Sequence, residues 1–174
     1  VQDAADRPAV AALDTAGPWG SVFLSPAREA LEAVLPGYIA PRRWFGAKAR
    51  AMRAIRIREA IPILPSAVLA LLRVEYAEGA PDLYALPIGF LAGAAGQALQ
   101  GERPAAVIAS LQAGTETGVL YDAVWDPAFC AEIHARAGTL GLLPVEGRQD
   151  VHVLHDRLDR LPAPGKPVLQ HPAV

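Results

Sequence analysis

Apolar positions change their period along the chain, from helical to alternating and back to helical. Ala27, Ala30, Leu31, Val34 and Leu35 recur at helical spacing. Ser25 reads as the N-cap and Pro26 as the first helical residue, where a missing N–H costs nothing. Pro36-Gly37 is the expected stop. After the segment Pro41 to Arg50 the period becomes twofold. Ile55 and Ile57 alternate with Arg56 and Arg58, and Leu72, Val74 and Tyr76 alternate with Arg73 and Glu75. A turn at Glu78-Gly79-Ala80-Pro81 leads to Tyr84, Leu86, Ile88 and Phe90 on one face, which predicts a hairpin with Pro87 placing its second strand at an edge or bulge.

The stretch Ala92 to Pro104, rich in glycine, alanine and glutamine, reads as a loop. Ala105 to Leu111 and Gly118 to Tyr121 read as two short strands around Gly114-Thr115. Asp126 as N-cap, Pro127 as first residue and an apolar stripe of Phe129, Cys130, Ile133, Ala137 and Leu140 predict a second helix. The pattern implies an α+β fold: an antiparallel sheet of about four or five strands packed against at least two helices. Residues 1–24 read as an N-terminal arm, pinned by Trp19, Val22, Phe23 and Leu24. Residues 25–145 read as the folded domain, and 146–174 as a Pro-rich tail or linker towards a downstream part.

Composition narrows the classes. A formal charge of −2 and a pI near 6.1 argue against a general nucleic-acid binder. Cys130 is the single cysteine, so neither an intramolecular disulfide nor a cysteine zinc cluster is expected. The longest apolar run, Ala60 to Leu72, is broken by Pro62 and Pro65 and is short of the roughly 20 residues that cross a bilayer. The N-terminus lacks the basic region of a signal peptide, so a cytoplasmic location without membrane contact is expected. Opening on Val1, with Met52 the only methionine, the chain reads as a piece of a longer protein.

Candidate chemistry is sparse. Arg42, Arg43, Trp44, Phe45 and Lys48 mix cations with aromatics, as phosphate and single-strand binders do. The favoured reading is structural, with Trp44 and Phe45 anchoring the first helix and Arg43 and Lys48 satisfying nearby polar groups. His152, His155 and Asp156 carry metal-ligand chemistry but match no strong spacing. Cys130 reads as a buried small hydrophobe, His134 as a packing residue, and Asp122 as a turn or cap residue. No catalytic, cofactor-binding or metal-binding residue is expected.

Three stretches carry a family resemblance. Leu31 to Ile39 running into Arg42-Arg43-Trp44-Phe45-Gly46-Ala47-Lys48-Ala49-Arg50, the hairpin from Val68 to Phe90, and Gly118 to Ala123 followed by Trp125 to Cys130 resemble the N-terminal cap of maltokinases. The resemblance implies a parent kinase that uses ATP and Mg to phosphorylate maltose at its anomeric carbon, in trehalose and α-glucan metabolism. It implies as partners the downstream kinase lobes and, in a fused form, a trehalose synthase domain. It marks Arg43, Trp44, Phe45, Lys48 and Asp122 as structural or interface residues. A cap serving another sugar or amino-sugar kinase, and a module docking a separate synthase, are the alternatives. The catalytic loop and phosphate-cradling loop that phosphoryl transfer needs are absent from this sequence; His155-Asp156-Arg157 is the nearest echo. The chain by itself is therefore expected to be inactive.

Overall fold

The computed structural model describes residues 10–139. Six strands form one mixed, curled sheet in the order β1-β5-β6-β4-β3-β2. They are β1 Ala12–Thr15, β2 Met52–Leu64, β3 Ala67–Tyr76, β4 Asp82–Ala92, β5 Val107–Ala113 and β6 Glu116–Asp122. Three helices complete the α+β fold: α1 Ala27–Ile39, α2 Gly93–Glu102 and α3 Pro127–Thr139. The sheet is larger than expected and not wholly antiparallel, because β1 pairs parallel to β5, with Ala12 opposite Ser110. So the N-terminal stretch contributes to the main body, and Val22 and Phe23 are buried in its core. Leu24, expected beside them, is 65% exposed.

The curl follows from the strands themselves. Sheets twist right-handedly, and a bulge adds local twist and bend. The β2–β3 register shifts three times, at Met52/Ala54, Ile57/Glu59 and Pro62/Leu64. The concave face gathers Ile55, Leu72, Val74, Leu86, Ile88, Leu111 and Leu120. Against them α1 lays Leu31, Leu35 and Ile39, all fully buried. Helix α1 touches β2 at one edge of the sheet and β1 at the other, and so closes the curl. Trp19 seals one side, stacked on Phe90 at 6.1 Å with its indole N–H donated to Pro65 O. A smaller cluster lies elsewhere on the sheet, where Tyr121, Phe129 and Ile133 meet Ile63, with Leu91 and Leu99 packed against it.

Four local expectations are corrected. Helix α1 begins at Ala27, with Pro26 at its cap position and no side-chain cap bond. It also runs through Pro36 to Ile39. An interior proline costs about 3 kcal/mol, but the turn it precedes buries Tyr38 and Ile39, each worth about 1.5–3 kcal/mol. Burial wins. Ala92 to Pro104 is not a loop: alanine, glutamine and leucine favour the helix α2 that forms there. Its glycines misled; Gly96 lies against the Leu91 carbonyl, where a Cβ would collide, so it serves close helix–sheet packing. Finally, β4 is central rather than at an edge. Its ladder to β6 opens only at Ile88, however, so Pro87 stands just before the second neighbour begins and leaves that ladder without a missing donor.

Of the expected second-helix stripe, Phe129 and Ile133 are buried and Cys130 is partly buried. Leu140 and the stretch 146–174 lie outside the described residues, as do His152, His155 and Asp156. Among the described residues no helix is long and apolar enough to cross a membrane.

Two glycines hold β4 and β6 together at close range. A Cβ on Gly89 would stand 2.5 Å from the Tyr121 ring, and one on Gly118 would meet the Leu91 carbonyl and the Phe90 ring. Gly89→Ala and Gly118→Ala should each destabilise the fold by about 1–3 kcal/mol, the usual cost of overpacking. A lower denaturant midpoint with an unchanged slope checks this.

Candidate functional site

Three tyrosines line the end of the core beside the C-terminus of α1, and the segment from Pro41 to Arg50 is laid across them. Tyr38, near the end of α1, carries the Arg42 guanidinium 3.9 Å from its ring centroid. The Arg42 Nε donates back to Tyr38 O at 2.9 Å, which fixes the turn out of the helix. Tyr84 of β4 receives Phe45 at 5.4 Å and Trp44 at 6.1 Å between ring centroids. Tyr76 of β3 carries Arg50, 3.5 Å above its centroid. Arg42, Trp44, Phe45 and Arg50 therefore each meet an aromatic partner, at roughly 0.5–1.5 kcal/mol per contact.

Arg50 also locks the β3–β4 turn. Its guanidinium donates to Asp82 Oδ2 at 3.1 Å and to the carbonyls of Glu78 and Ala80. The same Asp82 oxygen accepts the Tyr76 hydroxyl at 2.7 Å. Burial, and then that hydrogen bond, push the Tyr76 phenol well above its ordinary range, so it stays a donor. The turn crosses Gly79 at φ +86°, a left-handed position that suits glycine.

Two buried carboxylates fasten α1. Asp122, 2% exposed at the end of β6, accepts the Tyr38 hydroxyl on Oδ2 at 3.2 Å. Its Oδ1 accepts the Val124 N–H and caps the short 3-10 turn Ala123–Trp125. Glu32, 6% exposed and two turns into α1, accepts the Ile57 N–H of β2 at 2.9 Å and the Arg56 guanidinium at 2.8 Å. A buried carboxylate is stable only when so paired. Both carboxylates thus serve the packing of α1.

The residues singled out from sequence separate into two groups. Phe45 is buried, Trp44 is partly buried on Tyr84, and Asp122 is buried at the end of α1, so these three converge on one end of the core. Arg43 and Lys48 do not join them; both face solvent. Glu32, Tyr38, Arg50 and Asp82 fasten α1 and this end of the core without having stood out in the sequence, while Arg42, which did stand out in the cation–aromatic segment, sits on Tyr38. Only Arg50 with Asp82 leaves a trace, as opposite charges with Asp82 directly after the Glu78–Pro81 turn of the predicted hairpin. Across the sheet face, Arg73 pairs with Glu75 of its own strand at 3.4 Å, while Arg56 pairs with α1 rather than with a facing strand. His134 contacts the Cys130 carbonyl one turn back in α3, at 2.7 Å. Among the described residues, no group of three or more histidine, cysteine, aspartate or glutamate side chains is placed to hold a metal ion.

Two outcomes follow from these contacts. Tyr38→Phe should cost about 1 kcal/mol and Asp122→Ala about 1–3 kcal/mol, since the latter orphans a buried donor and a cap. The double variant should cost less than the sum, as a denaturation cycle will register. Cys130, whose thiol donates to Val124 O at 3.3 Å, is pushed up in pKa by burial and then by the charges of Asp126 and Asp122. A raised pKa means less thiolate at pH 8. Iodoacetamide should therefore alkylate the folded chain several-fold more slowly than the chain in urea.

No curated protein matches the chain significantly. A family model for the maltokinase N-terminal cap domain matches residues 38–126, from the last turn of α1 to the cap of α3. That is just over half of the 174 residues and contains the Tyr38–Asp122 contact and all of the Pro41–Arg50 segment. The chain belongs to the maltokinase N-terminal cap domain family.

Proposed function

We propose that this chain is the non-catalytic cap of an ATP-dependent maltokinase, working beside kinase lobes that carry the ATP and Mg chemistry. The observation that carries this reading is the family match over residues 38–126. The site chemistry agrees with it. Phosphoryl transfer needs a carboxylate free to orient the attacking hydroxyl and others to hold magnesium. Here Glu32 and Asp122 are buried and committed to hydrogen bonds that hold α1, and Asp82 is held by Arg50 and Tyr76. The cap's contribution is positional: a rigid end built on three tyrosines presents Arg43 and Lys48 outward, towards the kinase body in the cytoplasm. There it limits water entry or orders loops during closure, a gating role.

The test is ATP-dependent phosphorylation of maltose by this chain alone and by the same chain joined to its kinase lobes. Product from the joined protein only is the expected result; product from this chain alone overturns the reading. In the joined protein, Arg43→Ala with Lys48→Ala should lower turnover. Both side chains are exposed, so stability should move by no more than about 0.5 kcal/mol. Unchanged turnover would remove these two residues from the interface.

A further inference from the structure

An edge strand presents a row of unpaired N–H and C=O groups to any strand that approaches. Among the described residues strand β2 is such an edge, 13 residues long, with β3 its only neighbour. Two side chains from different helices cover its outward backbone. From α1, Glu32 Oε1 accepts the Ile57 N–H at 2.9 Å. From α3, Arg136 donates Nη1 to Pro62 O at 3.0 Å and Nη2 to Ile63 O at 2.9 Å. Arg136 is itself steadied by Glu132, one turn back, at 2.8 Å. The strand is thus closed near its middle and near its far end by groups that imitate the donors and acceptors of a seventh strand.

We propose that the outer edge of β2 is a latent self-association surface, held shut by Glu32 and Arg136. The occupant is a second copy of this chain. The strand is self-complementary at its centre, where exposed Arg58 and Glu59 are adjacent. Adjacent strand residues normally face opposite sides, but the register shift between Ile57 and Glu59 breaks that alternation and leaves both Arg58 and Glu59 exposed. Antiparallel pairing about a twofold axis therefore sets each Arg58 against the Glu59 of the second copy, and opposite charges directly across strands attract. The same axis gives a closed dimer rather than an open fibre. Pro62 has no N–H to offer, so there the edge can take part in pairing only through carbonyls, the groups that Arg136 covers. Removing Arg136 exposes two carbonyls at the edge, and displacement of α3 from β2 has the same consequence.

The test uses the whole chain. Light scattering behind size exclusion, over a hundredfold range of concentration, should report a monomer for the parent chain and a growing dimer fraction for Arg136→Ala. Arg136 is about half exposed, so circular dichroism should show the variant folded. Glu32→Ala removes the other cover and should push association further. Hydrogen exchange then locates the contact, with amides between Arg58 and Ile61 gaining protection in the dimer, while the Ile57 amide, already bonded to Glu32, is protected in both forms. A folded Arg136→Ala chain that stays monomeric overturns the proposal. So does a dimer whose β2 amides gain no protection, or a parent chain as dimeric as the variant.

Discussion

A sheet that curls to enclose a core leaves an opening between its two edges, and a single helix fills it here. Helix α1 crosses the opening between β1 and β2 and fills it with Leu31, Leu35 and Ile39. Apolar packing alone is non-directional and would tolerate sliding along the groove. Two buried carboxylates remove that freedom. Glu32 ties the middle of the helix to the β2 backbone and Arg56, while Tyr38 ties its end to Asp122. Each carboxylate is nearly dry, so losing its partner would strand a buried polar group at a cost of about 1–3 kcal/mol or more.

The end of the core is then finished by the segment that leaves α1. It is short, irregular and rich in cations, which on its own would favour a solvated loop. It is ordered because four of its residues find a ring: Arg42 on Tyr38, Trp44 and Phe45 on Tyr84, Arg50 on Tyr76. The family match, from Tyr38 to Asp126, contains every one of these contacts.

How much was legible depended on whether the signal was local. The β3–β4 hairpin, the β5–β6 pair and α3 were readable because alternation, turn residues and an Asp-Pro start lie within a few neighbours of one another. Strand β1 was not, since four residues paired in parallel to a strand about a hundred positions away leave no local pattern. Helix α2 was misread because glycines serving close packing look like glycines serving a turn. At the site, Trp44, Phe45 and Asp122 stood out by type. Glu32 did not, because a charged residue within an amphipathic helix reads as a solvent face until the sheet edge it meets is known.

The central claim is that α1 and the curled sheet form one cooperative unit fastened by Glu32 and Asp122. Native-state hydrogen exchange tests it most directly. If the claim holds, amides from Leu31 to Ile39 and the Ile57 amide exchange only through global unfolding, with the same opening free energy and denaturant slope as β3 and β4. Exchange of α1 through a smaller opening, while the sheet stays protected, would show that the helix is an accessory and contradict the account.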